Sequence, residues 1–199
     1  LTVINDILDY SKLESGELEL AEETYESMSL FYDICSIAKI QLGGKELEFQ
    51  VDINPSLPMS LKGDVVRLKQ IILNLLSNAI KYTEHGEIVL KADFARTEQG
   101  IGLMVSVKDS GIGISKEEQD RLFQSYSQVD ASITRRFGGT GLGLAIAKQT
   151  IESSFHGKIM ITSELNKGTD VTITIPSTES CWKTVSGTSP VPGGISTNI

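Results

Sequence analysis

From Asp64 to Thr83 the apolar and polar positions repeat with a helical period. Val65, Leu68, Ile71, Ile72, Leu75, Leu76 and Ala79 recur at three- and four-residue spacing and predict a stripe that faces a core. Asp64 stands where a helix N-cap belongs. Asn74, Asn78 and Lys81 fall at i, i+4 and i+7 and share a different face. Asparagine is a poor helix former, and a buried amide needs partners. The polar line therefore either caps backbone groups and meets water, or runs along a polar ligand.

The rest of the chain is read from the same kind of pattern. Leu1 to Leu13 predicts a helix, with Leu1, Val3, Ile4, Ile7, Leu8 and Tyr10 giving an apolar face wide enough to need a bundle or dimer partner. Ser15-Gly16 ends it, and Leu18 to Tyr25 reads as an edge strand. A helix capped by Ser27 or Ser29 runs to about Leu42, burying Leu30, Ile34, Ile37 and Ala38, with Gly43-Gly44 as its stop. Leu47, Phe49, Val51 and Ile53 alternate as a strand, and Pro55 and Pro58 turn the chain into the asparagine helix. After His85-Gly86, Ile88, Leu90, Ala92 and Phe94 line one face of a strand. Leu103, Val105 and Val107 start its antiparallel hairpin partner, which runs into Asp109. Ser115 and Glu118 form a capping box for a short helix through Leu122-Phe123. Gln124 to Gly139 lacks a regular pattern, as functional or mobile segments do. A helix from Gly141 to about Ser154 and strands at Ile159–Ser163 and Val171–Ile175, joined at Asn166-Lys167-Gly168, complete the pattern. Without a repeated βαβ unit, this is an α+β chain: a two-layer α/β sandwich, its mixed, mostly antiparallel sheet carrying helices on one face.

Composition narrows the partners. The chain has 199 residues and a net charge of −8, with a pI near 4.8, which argues against nucleic acid. Cys35 and Cys181 are too far apart to suggest a disulfide framework or a metal site, and Cys35 fits a small core residue. No apolar run is long enough to cross a bilayer and no signal peptide is visible, so the piece is expected to be soluble. It opens mid-helix with Leu rather than Met, as expected of a piece of a longer protein. Ser177 to Ile199 is rich in Ser, Thr, Pro and Gly and reads as a tail or linker whose one anchor is Trp182.

Two further stretches carry chemistry. Asp109-Ser110-Gly111-Ile112-Gly113 places a carboxylate and bare backbone at a strand end. It serves either as a strand-ending Asx-turn or as a pocket whose carboxylate accepts an exocyclic amino group, choosing adenine over guanine. Gly138-Gly139-Thr140-Gly141-Leu142-Gly143-Leu144 feeds a helix, so its N–H groups can bind phosphate. It lacks the Gly-Lys-Ser/Thr of a P-loop, and no strand leads into it as in a dinucleotide fingerprint. Arg135 and Arg136 precede it, either near a triphosphate or idle in water.

Together these stretches resemble the catalytic ATP-binding domain of sensor histidine kinases, in the GHKL superfamily shared with gyrase, MutL and heat-shock ATPase chaperones. NLLSNAIKYT resembles the N box, DSGIGI and GGTGLGL two glycine boxes, LFQSYSQVD the phenylalanine box, and NKGTDVTITIP the last glycine box. VINDILDYSKLESG resembles the second dimerisation helix, most like hybrid kinases. The resemblance implies residues 1–16 as the end of a dimerisation and phosphotransfer helix, 17–176 as the ATP-binding domain, and 177–199 as tail. It implies a Bergerat-type sandwich and ATP with Mg²⁺ as ligands. Its partners would be its own phosphoacceptor helices, a response-regulator receiver domain and a second copy, in the cytoplasm, with membrane anchoring of the longer protein left open. Asn78 would ligate Mg²⁺, Asn74 would support it, and Lys81 would reach phosphate. Tyr82 would pack by sugar or base. Asp109 would accept the adenine amino group between Gly111 and Gly113, with Thr169 at the same end. Gly139, Thr140, Gly141, Leu142, Gly143 and Arg135 would surround the phosphates. Gln124 to Gly139 would be a lid anchored by Phe123 and Tyr126.

Position 74 bears on the reaction. Hydrolytic relatives carry a glutamate there to activate water, and Asn74 cannot act as a general base. The γ-phosphoryl group is then kept for a histidine nitrogen, although some relatives that phosphorylate histidine also carry glutamate. Tyr126 and Ser125 depart from the usual Phe and Pro of the phenylalanine box and bear on lid packing. His85 and His156 read as surface residues, so the acceptor is expected upstream of Leu1 and the chain is expected to bind Mg·ATP without phosphorylating itself. A gyrase- or MutL-type ATPase and a non-catalytic module with a degenerate pocket are the competing classes.

Overall fold

The computed structural model describes residues 20–97, 100–119, 143–176 and 197–198. β1 (Glu23–Glu26) leads into α1 (Ser27–Leu42), β2 (Leu47–Ile53), β3 (Ser60–Gly63) and α2 (Val65–Tyr82). Then follow β4 (Gly86–Thr97), β5 (Gly100–Asp109), the short α3 (Lys116–Gln119) and α4 (Gly143–Gln149). A π-helical turn at Thr150–Ser154, β6 (Lys158–Glu164), β7 (Gly168–Pro176) and β8 (Thr197–Asn198) complete the described elements.

The main sheet has the order β6-β7-β5-β4-β2-β8. Among the described strands only β2 and β4 run parallel, and α2 lies in the connection between them, as a parallel pair requires. The β4–β5 hairpin is antiparallel, with Ile88 opposite Asp109 and Thr97 opposite Gly100. α2 packs on α1, on the central strands and on α4, which gives helices over one face of the sheet. The apolar stripe of α2 is what makes this layer: Leu68, Ile71, Ile72, Leu75, Leu76 and Ala79 are buried against Phe31 and Ile34 of α1 and against Ile88, Leu90 and Val105 of the sheet. Each fully buried branched side chain contributes about 1.5–3 kcal/mol. Asp64 caps α2, its carboxylate accepting from Arg67 N at 2.9 Å and from Ala21 N at 3.1 Å.

Several expectations change. The turn expected between Pro58 and α2 contains β3, which pairs with β1 as a separate two-stranded ribbon (Glu23 opposite Gly63). Its only apolar residue is Leu61, so alternation could not reveal it, and its partner lies more than thirty residues away. The expected edge strand is therefore a ribbon strand outside the main sheet. Ser27 does not cap α1. It is buried inside the helix start, where its N–H donates to Met59 O and its hydroxyl to Pro58 O. Phe94 is 40% exposed, so the covered face of β4 stops at Ala92. Cys35 is half-buried at the margin of the core. The last helix switches to π geometry at Thr150. The capping box stands as expected, with Ser115 N–H donating to Glu118 at 3.0 Å and Glu118 N–H to Ser115 Oγ at 3.3 Å. Among the described residues no helix is long and apolar enough to cross a membrane. The expected helix over 1–13, the lid over 124–139 with Phe123 and Tyr126, and Trp182 lie outside the described residues.

Candidate functional site

The end of β5 and the end of α2 meet at one glycine-rich loop. Ser110 N–H donates to Glu87 O and Ile112 N–H to Tyr82 O, while Asn166 N–H in the β6–β7 turn donates to Ile112 O. These bonds stitch the loop between the asparagine helix and that turn. Gly113 has φ +64°, and a Cβ there would collide with the carbonyl of Glu164. Gly111 is equally confined: a Cβ would run into Tyr82 O and stand 2.8 Å from Thr83 Oγ1 and 3.0 Å from Asp109 Oδ1.

Asp109 is only 8% exposed. Its Oδ1 accepts from Gly111 N at 2.9 Å and from Thr169 N at 3.3 Å, and among the described residues Oδ2 accepts from none. Burial pushes its carboxyl above the ordinary aspartate range. The two backbone N–H groups pull it back, and the nearby Asp170 adds to the rise. A buried carboxylate with one oxygen fixed and the other uncommitted is suited to receive an N–H donor. Thr169 stands opposite Asp109 on β7 and opposite Ser163 on β6. Ser163 Oγ accepts from Ile114 N at 2.8 Å and lies 2.9 Å from both Gly168 O and Thr169 Oγ1. Gln119, at the end of α3, donates to Ile114 O and Ser163 O, so the start of the next segment is tied to the same cluster.

The second half of the site lies along α2. Asn74 and Asn78 are half-buried on the helix, away from its wholly buried stripe. A Cβ on Gly143, the first residue of α4, would stand 2.6 Å from Asn74 Oδ1 and 2.7 Å from Nδ2. A larger residue at the start of α4 would have to displace this amide. Lys81 Nζ lies 4.7 Å from the Tyr82 ring centre, a cation–π arrangement. Asn74, Asn78, Lys81, Tyr82 and Gly143 thus belong to the α2–α4 side, and Asp109, Gly111, Gly113 and Thr169 to the strand-end side. Tyr82 joins the two through its carbonyl. Arg135, Gly139, Thr140, Gly141 and Leu142 lie outside the described residues. His85 and His156 are exposed.

Three residues escaped the pattern reading. Thr83 is fully buried, and among the described residues its hydroxyl has no hydrogen-bond partner. Lys45 Nζ donates to Ile80 O at 2.5 Å and to Thr83 O at 3.3 Å, satisfying carbonyls at the end of α2 that no helical N–H reaches. Ser163 could have been found by counting back across the Asn166-Lys167-Gly168 turn, which sets it opposite Thr169. A separate cleft lined by Tyr25, Leu61, Leu103, Phe155 and Pro176 contains none of the site residues.

Residues 63–179 match the family described as histidine kinase-, DNA gyrase B- and HSP90-like ATPase. The chain belongs to that family. It is 41% identical over 176 residues to the sensor protein GacS of Pseudomonas syringae pv. syringae, covering 88% of this chain and 19% of that protein. It is 38% identical over 177 residues to hybrid signal transduction histidine kinase B of Dictyostelium discoideum, covering 88% of this chain and 9% of the relative. Among solved structures, full-length ShkA in complex with AMPPNP superposes with a TM-score of 0.76 at 27% identity, covering 89% of this chain and 35% of that one. The catalytic domain of the histidine kinase ThkA superposes with a TM-score of 0.64 at 26% identity, covering 81% of this chain and 97% of that domain. The chain therefore spans less than a fifth of the two sequence relatives' own lengths. It carries the ATPase domain of the family, and the mixed α/β fold matches that of histidine kinase ATP-binding domains.

Proposed function

We propose that this chain is the Mg·ATP-binding catalytic domain of a two-component sensor histidine kinase, with residues 17–176 forming the domain. In this reading the γ-phosphoryl group passes to a histidine upstream of the fragment. The observation that carries the reading is Asp109: a buried carboxylate with Oδ1 fixed by Gly111 and Thr169 and Oδ2 left for the adenine amino group. Gly111 and Gly113 let the base approach bare backbone, and Tyr82 packs beside the sugar. Asn74, Asn78, Lys81 and Gly143 would serve the phosphates, and the match to the glycine-box motif assigns the same role to Gly139, Thr140, Gly141 and Leu142, with Arg135 just upstream.

The donor chemistry fits Mg²⁺. Among the described residues no three His, Cys, Asp or Glu side chains gather as a metal cage. Asn78 would hold the ion through its amide oxygen, with phosphate oxygens and waters filling the remaining positions, as this ion prefers. The bound ion would supply charge neutralisation at the phosphates. Asn74 holds no exchangeable base to activate water, so this chain's own residues bind and orient the nucleotide and leave the in-line nucleophile to an incoming imidazole. In this reading the domain works in a dimer with its own phosphoacceptor helices, passes phosphoryl groups on to a receiver domain and sits in the cytoplasm; the names of the relatives, a sensor protein and a hybrid signal transduction histidine kinase, support the sensor-kinase part of it.

Calorimetric titration of the chain with a non-hydrolysable ATP analogue tests the reading. Saturable one-site binding that strengthens with Mg²⁺ is expected, without acid-labile phosphate forming on the chain when ATP is supplied. No binding with or without Mg²⁺ would make the domain a scaffold instead.

A further inference from the structure

Asp109, Thr169 and Ser163 stand in register on three adjacent strands, β5, β7 and β6. The two hydroxyls share few protons, and their count decides what Thr169 can offer a ligand. Ser163 Oγ has one proton and two lone pairs. It accepts the N–H of Ile114 at 2.8 Å. It lies 2.9 Å from the Gly168 carbonyl, which has no proton to give, so that contact is a hydrogen bond only if Ser163 donates. Its proton is then spent, and the 2.9 Å contact with Thr169 Oγ1 requires Thr169 to donate. The reverse assignment, Ser163 donating to Thr169, would leave two oxygens facing each other at 2.9 Å at Gly168 and one lone pair idle. Only one arrangement makes all three bonds.

We propose that Ser163 is a specificity-determining positioning residue, which by claiming the Thr169 hydroxyl proton leaves Thr169 as an acceptor beside the acceptor Asp109. Asp109 and Thr169 then both present acceptor oxygens at the base end of the pocket. They welcome the 6-amino group of adenine, a donor, and repel the 6-oxo group of a hypoxanthine or guanine base. Asp109 supplies the charge, and Ser163 ensures that the neighbouring hydroxyl cannot turn and donate to the oxo group. This rests on the base-binding reading above. A positioning role of this kind changes the choice between bases, whereas simple structural support would weaken every nucleotide alike.

The test is calorimetry on the full chain with ADP and IDP, which differ only at the 6-substituent and its tautomer. The wild-type chain prefers ADP. Ser163→Ala frees the Thr169 proton and narrows the ADP-to-IDP affinity ratio by about tenfold, the scale of one hydrogen bond. Ser163→Thr keeps the hydroxyl and restores the wild-type ratio. In a Thr169→Val background, Ser163→Ala changes the ratio no further. Equal weakening of both nucleotides by Ser163→Ala, or a ratio change that persists without the Thr169 hydroxyl, overturns the role of Ser163 while base binding stands. A wild-type chain that binds neither nucleotide overturns the base-binding reading, and this inference with it.

Discussion

The two ends of the candidate site are built differently. The proposed base end is made of strand ends and backbone: Asp109 is fixed by two main-chain N–H groups, and Gly111 and Gly113 are clamped between the end of α2 and the β6–β7 turn. The proposed phosphate end is made of side chains on one helix, with the glycine start of a second helix set against Asn74. Strand register is held by many ladder bonds at once, so the base end has almost no freedom of its own. A helix face instead lets each side chain choose among rotamers. The base end should therefore respond to substitution abruptly, often through the fold itself, and the phosphate end by degrees.

Gly113→Ala is the sharpest way to break the base end. It forces a Cβ onto the Glu164 carbonyl at a φ of +64°, so left-handed strain and overpacking act together. We expect a loss of about 3 kcal/mol in urea unfolding and no measurable nucleotide binding. A destabilised variant that still binds with wild-type affinity would show that this loop is scaffold and not pocket wall.

Asp109→Asn separates binding from stability. Removing the charge-assisted bond should lower affinity for an ATP analogue by tenfold or more, from about 1.5–3 kcal/mol. The unliganded domain should respond the other way. Burial raises the Asp109 carboxyl above its unfolded value, so the folded state holds this proton more tightly than the unfolded chain does. Its contribution to stability is fully present below the unfolded aspartate pKa and is lost as pH rises through the folded value. The melting temperature of Asp109→Asn should therefore rise above wild type as pH climbs through that window and match it in acid. Parallel melting curves from acid to neutral pH would mean that the two backbone N–H groups offset the desolvation.

This division also explains what could be read from the sequence. The stripe of α2 was legible because a single helix shows its period within eighteen residues, and six of its seven expected apolar positions are wholly buried. Only Val65, in the first turn, is half-buried. Asp109, Gly111 and Gly113 were legible as a motif because they are contiguous. β3 was not, since four residues with one apolar side chain become a strand only by pairing with Glu23–Glu26. Thr83, Lys45 and Ser163 were missed for a related reason. A threonine after a helix, a lysine in a turn and a serine in a strand are ordinary locally, and their roles arise from contacts five to forty-nine residues away. The shared helix face of Asn74 and Asn78 followed from their spacing, but the approach of Gly143 to Asn74 needed the packing of α4 on α2.

That last contact gives the mildest way to sharpen the comparison. In Gly143→Ala the new methyl would meet the Asn74 amide at 2.6 to 2.7 Å, tighter than carbon and nitrogen or oxygen tolerate. Asn74 can yield by changing rotamer, because it is half-buried and its backbone is held by the helix. The helix meanwhile gains from losing a glycine, by roughly 0.5–1 kcal/mol where the residue is interior and less at this terminal position. Stability should therefore change little. Binding should change only where phosphates are present, with adenosine affinity as in wild type and the Mg²⁺-dependent gain for an ATP analogue reduced a few-fold. Calorimetry with adenosine and with the analogue, each with and without Mg²⁺, reads both quantities. An equal loss for adenosine would mean that α4 supports the whole pocket, and the two ends could no longer be treated as separate.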